Sequence, residues 1–166
     1  PETYAIGQVF YKDDISKILP KIKKILGKEK LKLLACRNVP VNKNILGKIA
    51  FKYAPNIYQL FITLDEKVFN DQEFETNLLQ ARKFIEELYL DDETLYICSF
   101  SSKTIVYKGL MLPDAIKEFY IDISQKDFRA SSCVFHQRFS TNTSPRWHLA
   151  QPVSYTHLRA HETSRN

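Results

Sequence analysis

The sequence predicts an α+β fold. Runs of aromatic and β-branched residues recur along the chain, but they do not alternate regularly with helical segments, which disfavours a doubly wound parallel sheet. Residues 71–90 show the periodicity of a long amphipathic helix. Of the 166 residues, 44% are hydrophobic and 26% are charged, which is ordinary for a globular domain with its own core.

The chain opens with a predicted strand and helix. Residues 4–10 combine aromatic and β-branched side chains and predict a strand. Asp13 or Asp14 is expected to cap the helix that follows, and Gly27 to close it. Pro20 falls inside this helix, so it either kinks the helix or marks its first turn.

The middle of the chain repeats strands and helices. Residues 31–39 and 56–64 predict two further strands, and residues 46–53 a short helix between them. The helix predicted over residues 71–90 has its apolar side chains on one stripe: Phe74, Leu78, Ala81, Ile85 and Leu88.

The last predicted elements lead to a polar segment. Residues 95–100 and 104–108 predict a hairpin across 101–103, and residues 112–119 a short helix. Residues 131–135 predict the strand that precedes the polar segment.

Charge and cysteine usage limit the classes of protein. The net charge is +5 and the pI about 9.0, which permits nucleic-acid binding, but a solvated helix face is the better interpretation of the clustered lysines. No apolar run approaches the ~20 residues of a membrane helix, and no signal peptide is recognisable. Cys36, Cys98 and Cys133 lie far apart in apolar runs, which predicts reduced core thiols and no metal site. Because the only methionine is Met111, we expect the chain to be a fragment.

Residues 133–152 concentrate the residue types that bind small polar ligands. An apolar stretch ends at His136, and a loop rich in hydroxyl and amide side chains follows. Arg138 can hold a carboxylate through two parallel hydrogen bonds. Thr141 and Asn142 can fix the rest of a small polar ligand.

This segment resembles a known family. Residues 136–143 read His-Gln-Arg-Phe-Ser-Thr-Asn-Thr, followed by Pro145, Trp147 and Ala-Gln-Pro at 150–152. This pattern is similar to the glutaminase domain of the glutamate synthase large chain, a class II glutamine amidotransferase of the N-terminal-nucleophile hydrolase fold. The resemblance is collinear over residues 1–152.

Two other segments extend the resemblance. Residues 36–41 read Cys-Arg-Asn-Val-Pro-Val, similar to the family's Trp-Arg-x-Val-Pro-Val. Residues 101–109 read Ser-Ser-Lys-Thr-Ile-Val-Tyr-Lys-Gly, similar to its Ser-Ser-Arg-Thr-Ile-Val-Tyr-Lys-Gly. The resemblance implies a truncated four-layer αββα sandwich.

The resemblance also implies a glutamine pocket. Arg138 would hold the α-carboxylate of L-glutamine, Phe139, Ser140 and Thr141 would line the pocket, and Gln151 would lie near the bound amino acid. The residues themselves also allow structural roles in place of glutamine binding. Arg138 can pair with a structural carboxylate, Phe139 can belong to the core, and Ser140 and Thr141 can cap a turn.

The catalytic groups of the family are not expected in this chain. The family's nucleophile is an N-terminal cysteine whose own α-amine acts as base, whereas Pro1 has no thiol. Residues 153–166 lack the family's His-Asn-Gly-Glu, which supplies the oxyanion donors. We therefore predict a partial amidotransferase domain over 1–152, a non-native, adapter-like tail over 153–166, and no glutaminase activity in the fragment alone.

The expected cofactors and partners follow from the resemblance. The fragment itself would hold no cofactor, whereas the parent would carry FMN and an iron–sulfur cluster. L-glutamine and the synthase domain of the same parent chain are the expected partners, with no nucleic acid and no membrane. The expected location is the cytoplasm, or the plastid in a photosynthetic eukaryote. The alternatives are a non-catalytic amino-acid-binding module and a basic nucleic-acid-binding domain.

Overall fold

The computed structural model describes residues 3–65, 70–89, 94–137 and 146–150. The chain divides into two compact units. The sheet unit consists of Pro1–Pro40 and Ala54–Tyr107, and the second unit of Val41–Tyr53 and Lys108–Asn166.

The sheet unit is built on four antiparallel strands in the order β2-β3-β1-β4. The central pair is β1 and β3, with Gln8 opposite Gln59, and the register slips by a bulge between β1 and β4 and between β2 and β3. Four of the six predicted strands are confirmed, and with them the α+β class. Their bounds are Ala5–Tyr11 for β1, Leu31–Asn38 for β2, Asn56–Leu64 for β3 and Leu95–Ser101 for β4.

Two helices pack on one face of this sheet. They are α1, Leu19–Lys28, and the longer α3, Asp71–Glu87; the short helix α2, Lys48–Lys52, lies between them in the sequence. Their apolar stripes and the strand residues that alternate toward them form one buried core, in which a large-to-small substitution costs about 2–5 kcal/mol. Its most buried members include Ile22, Leu26, Leu60, Ile62, Phe74, Leu78, Ile85 and Ile97.

The long helix α3 follows from local sequence. The side chain of Asn70 accepts a hydrogen bond from the Gln72 backbone N–H at 3.0 Å, which caps the helix. Asp71 in the first turn complements the helix dipole. The predicted stripe is buried from Phe74 to Ile85, but Leu88, which was included in it, is 55% exposed because the helix ends at Glu87.

Gly27 does not close α1 as predicted. Asp14 caps a short 3-10 turn at Ile15–Lys17, and Pro20 lies in the first turn of α1, where its missing N–H costs nothing. The helix continues through Gly27 to Lys28. The left-handed residue that redirects the chain is Lys30, with φ of 56°.

Two predicted strands are not formed. Residues 104–108 do not pair in the sheet, and instead the Val106 backbone N–H donates to the Ser99 hydroxyl at 3.1 Å. Residues 131–135 pair with no strand in the described part of the chain, and Val134 is 95% exposed. Both runs have strand-like composition, but a strand needs a neighbour to accept its backbone hydrogen bonds, and composition does not supply one.

Where the second unit is described, its elements are short. The helix predicted over residues 46–53 is α2, Lys48–Lys52. The helix predicted over residues 112–119 divides into a 3-10 turn, Pro113–Ala115, and α4, Ile116–Phe119. Further 3-10 turns lie at Lys43–Ile45, Ile121–Ser124 and Trp147–Leu149.

Candidate functional site

The five residues predicted to bind glutamine lie outside the described residues. They are Arg138, Phe139, Ser140, Thr141 and Gln151. Their described neighbours are residues 131–137 on one side and 146–150 on the other, in the second unit. What the structure defines is therefore the framework to which both ends of this segment are attached.

Trp147 fixes one end of the segment. Its indole N–H donates to the Ala50 carbonyl at 3.0 Å, and its ring lies 5.5 Å from the Phe119 ring. Only 5% of Trp147 is exposed. An indole that is buried on its ring and hydrogen-bonded at its nitrogen has one available orientation, so the turn Trp147–Leu149 is held in place.

Lys108 reaches the same turn. Its Nζ donates to the His148 carbonyl at 2.9 Å, although the residue is only 8% exposed. The Tyr120 hydroxyl donates to the Lys108 carbonyl at 2.7 Å. The residues alone gave no reason to select Lys108, but it belongs to the 101–109 segment that resembles the family.

Gly109 permits this packing. A Cβ at this position would lie 2.8 Å from Cζ3 of Trp147, closer than side-chain atoms approach. The absence of a side chain at residue 109 therefore allows the backbone after Lys108 to run directly against the indole.

Glu75 organises a turn in the sheet unit. Residues 101–104, which we call the serine turn, begin at the last residue of β4, and Glu75 on α3 accepts three hydrogen bonds from this turn. The Ser102 backbone N–H and hydroxyl donate to Oε1 at 2.7 and 2.6 Å, and the Ser101 hydroxyl donates to Oε2 at 2.9 Å.

The same contacts shift the acidity of Glu75. Burial raises the pKa of this carboxyl, but the hydrogen bonds from Ser102 and Ser101 and the charge of Lys103 outweigh burial, so the pKa lies below its ordinary value. Glu75 is thus a charged structural group that joins a helix to a turn. Sequence reasoning missed it, because nothing local distinguishes it from the other acidic residues of α3.

An open groove lies beside the serine turn. Tyr4, Ile6 and residues 101–105 line a space of about 220 Å³. The Ser101 hydroxyl already accepts hydrogen bonds from the backbone N–H groups of Lys103 and Thr104, at 3.0 and 3.4 Å. These N–H groups are therefore engaged within the turn and do not form an anion cradle.

A buried amide network crosses the sheet. Gln59 Nε2 donates to Gln8 Oε1 at 2.9 Å, and Arg37 Nε donates to Gln59 Oε1 at 2.8 Å. The Tyr107 hydroxyl lies 3.4 Å from Gln59 Nε2. Gln8 and Gln59 are 0% and 1% exposed, and among the described residues the Gln8 Oε1 is paired whereas the Gln8 Nε2 has no hydrogen-bond partner.

The cysteines divide by environment. Cys98 is buried and Cys36 half-buried, as expected for core thiols, and burial, with a smaller effect of Asp14, raises the pKa of Cys36. Cys133 is exposed, so its assignment to the core was wrong, because the strand predicted around it does not form. Among the described residues, no three His, Cys, Asp or Glu side chains come together as a metal-ligand set.

The lysines of α1 lie in solvent, as predicted for a solvated face. Lys21, Lys24 and Lys28 are all exposed, while Ile22 and Leu26 between them are buried. Within the described segments, no helix combines the length and the hydropathy that a membrane crossing requires.

Comparison with known proteins identifies the family. The sequence profile described as "Glutamine amidotransferases class-II" matches residues 1–162. The chain therefore belongs to the class II glutamine amidotransferases, and the predicted family is confirmed.

Within that family, the similar proteins are glutamate synthases. Over 156 residues the chain is 38% identical to ferredoxin-dependent glutamate synthase 1, chloroplastic/mitochondrial, of Arabidopsis thaliana, covering 90% of this chain and 10% of the relative. It is 40% identical over 132 residues to ferredoxin-dependent glutamate synthase 2 of Synechocystis sp., covering 80% and 8%. It is 36% identical over 158 residues to the glutamate synthase [NADPH] large chain of Bacillus subtilis, covering 93% and 10%. The chain thus spans about a tenth of the length of these relatives.

Proposed function

We propose that this chain is part of the glutaminase domain of a glutamate synthase. The observation that supports the proposal is the similarity to glutamate synthases along 80–93% of the chain. The parent reaction would convert L-glutamine, 2-oxoglutarate and two electrons into two molecules of L-glutamate. The four-layer αββα architecture, the boundary of the domain at Pro152 and the non-native tail belong to this proposal.

The chain's part of the reaction is the recognition of glutamine. Arg138 pairs with the α-carboxylate through two parallel hydrogen bonds. Phe139, Ser140 and Thr141 line the pocket, and Gln151 lies near the bound amino acid. In the parent, an N-terminal cysteine thiolate attacks the side-chain amide carbon, ammonia leaves, and water hydrolyses the resulting thioester to glutamate.

A polypeptide of these 166 residues does not perform that hydrolysis. None of its three cysteines has a free α-amine beside the thiol. Without the nucleophile, binding by Arg138 leaves the amide bond intact. We expect glutamine binding without ammonia release.

The remaining partners belong to the parent. FMN and an iron–sulfur cluster would supply electron transfer there, and ammonia would pass to a synthase domain of the same chain. The described residues bring no three cysteine or histidine ligands together, so no step is assigned to either group here. The parent would work in the cytoplasm, or in the plastid of a photosynthetic eukaryote.

The proposal is tested by calorimetric titration with L-glutamine, using D-glutamine as the stereochemical control. We expect Arg138→Met to weaken L-glutamine binding about thirtyfold or more, because one partner of a charged pair is removed. Arg129→Met is the matched control, since Arg129 is exposed and its substitution removes the same positive charge. Absence of L-glutamine binding, or equal binding by the Arg138 variant, would refute the proposed pocket. Ammonia released above the blank would refute the predicted inactivity.

A further inference from the structure

Lys108 is a buried cation to which neither the sequence patterns nor the family comparison gives a role. It is 8% exposed, and its Nζ donates to the His148 carbonyl at 2.9 Å. An ammonium group loses several kcal/mol of hydration on burial unless specific partners replace the water. A neutral apolar residue would fill the same space without that cost, so the charge itself calls for an explanation.

The hydrogen bond from Lys108 to the His148 carbonyl explains why a charged residue is placed here. The ammonium group acts on the backbone of the turn Trp147–Leu149, at its middle residue. Trp147, the first residue of that turn, is held separately by the Ala50 carbonyl and the Phe119 ring. Two independent attachments on successive residues fix the orientation of the turn as well as its position.

Lys108 is itself held at its backbone. Tyr120, which is fully buried, donates its hydroxyl hydrogen to the Lys108 carbonyl at 2.7 Å. Gly109 lies against the indole of Trp147 at a distance that leaves no room for a Cβ. The backbone of Lys108 is therefore held next to the Trp147–Leu149 turn, which its Nζ contacts.

The position of the turn in the sequence links it to glutamine. Trp147 follows Thr141 by six residues, and Leu149 precedes Gln151 by two, so the turn joins two parts of the proposed pocket. We propose that Lys108 is a positioning residue for glutamine binding, which acts through the His148 carbonyl to fix this connection. The inference rests on the proposed function. Small displacements of binding groups are costly, since about 1 Å can change rates by 10²-fold.

The experiment compares Lys108→Met, Lys108→Arg and the control Lys126→Met in the 166-residue chain. Lys126 is an exposed lysine of the same unit. Calorimetry gives the Kd for L-glutamine. The fluorescence of Trp147, the only tryptophan, reports the turn through its emission maximum and its quenching by acrylamide. Circular dichroism and the unfolding midpoint show whether each variant is folded.

We expect Lys108→Met to raise the Kd for L-glutamine about tenfold and to make Trp147 easier to quench. Lys108→Arg keeps a charged donor, so it should restore the Kd to within about threefold of the original. Lys126→Met should change neither quantity. If Lys108→Met does not fold, Tyr120→Phe takes its place, because it frees the Lys108 backbone and should raise the Kd about threefold.

The outcomes separate the two proposals. If the unsubstituted chain binds L-glutamine and folded Lys108→Met, or Tyr120→Phe in its place, binds it equally well, the positioning role is overturned and the proposed function stands. A weakening that Lys108→Arg does not correct also overturns the role, because shape rather than the donated hydrogen bond would then matter. If the unsubstituted chain does not bind L-glutamine, the proposed function fails and the positioning role fails with it.

Discussion

Glu75→Gln tests whether one carboxylate joins α3 to the serine turn. The carboxylate accepts hydrogen bonds of 2.6, 2.7 and 2.9 Å from Ser102 and Ser101. Bonds to a charged group contribute about 1.5–3 kcal/mol when protected from water, and partial exposure of Glu75 reduces this. Glutamine keeps one acceptor oxygen but turns a donor toward the other hydroxyl. We expect a loss of about 1–2 kcal/mol in the free energy of unfolding, or about 2–8 °C in the unfolding midpoint.

The effect should depend on pH with a defined sign. Because the pKa of folded Glu75 lies below its ordinary value of 4.5, the carboxylate stabilises the fold above that value. The contribution is lost as the pH falls through the folded pKa. The unsubstituted chain and Glu75→Gln should therefore differ in stability at neutral pH and converge as the pH falls below the folded pKa of Glu75.

The assay is denaturant unfolding followed by circular dichroism at several pH values. Glu87→Gln is the control, because Glu87 is exposed at the C-terminal end of the same helix. Removing an acidic group there relieves an unfavourable interaction with the helix dipole, so no loss is expected. Equal stability of Glu75→Gln and the unsubstituted chain at neutral pH would contradict the reasoning, as would a deficit that persists undiminished at low pH.

Two further predictions concern packing and thiol accessibility. Gly7→Ala should cost about 1–3 kcal/mol, since its Cβ would lie 2.6 Å from the Phe100 ring. Gly27→Ala, which has open space inside α1, should gain about 0.5–1 kcal/mol; equal denaturation midpoints for the two variants would contradict this. Iodoacetamide should modify exposed Cys133 before Cys36, because burial raises the pKa of the Cys36 thiol. Peptide mass spectrometry measures the order, and prior labelling of Cys36 would refute it.

The elements that sequence predicted well are those whose evidence is local and redundant. The helix α3 combines a capping residue, acidic residues in its first turn and a four-residue apolar stripe, and all three local features point to the same helix. The run at 131–135 has the composition of a strand, but a strand depends on a partner elsewhere in the chain. Lys30 illustrates a third case, because φ of 56° at a lysine is imposed by the surrounding chain and has no local signature.

The candidate site divides in the same way. Arg138 is a prediction from a motif of consecutive residues, and such motifs are visible in sequence. The hydrogen-bonded pairs around the turn form only through folding. Lys108 and His148 are 40 residues apart in the sequence, and Trp147 and Ala50 are 97 residues apart. Every residue type has a backbone carbonyl that can accept a hydrogen bond, so no sequence pattern could have indicated His148 or Ala50 as acceptors.

The amide pair in the sheet shows how buried polar residues can determine a register. Gln8 and Gln59 lie directly opposite each other on β1 and β3 and are hydrogen-bonded at 2.9 Å. If β3 slipped by one residue, Gln59 would turn toward the face occupied by Leu60 and Ile62, and Gln8 would lose its hydrogen bond to Gln59. Because an unpaired buried amide costs about 1–3 kcal/mol, that alternative pairing is disfavoured more strongly than apolar strands alone would achieve. The pair therefore contributes to the specificity of the fold even if its net contribution to stability is small.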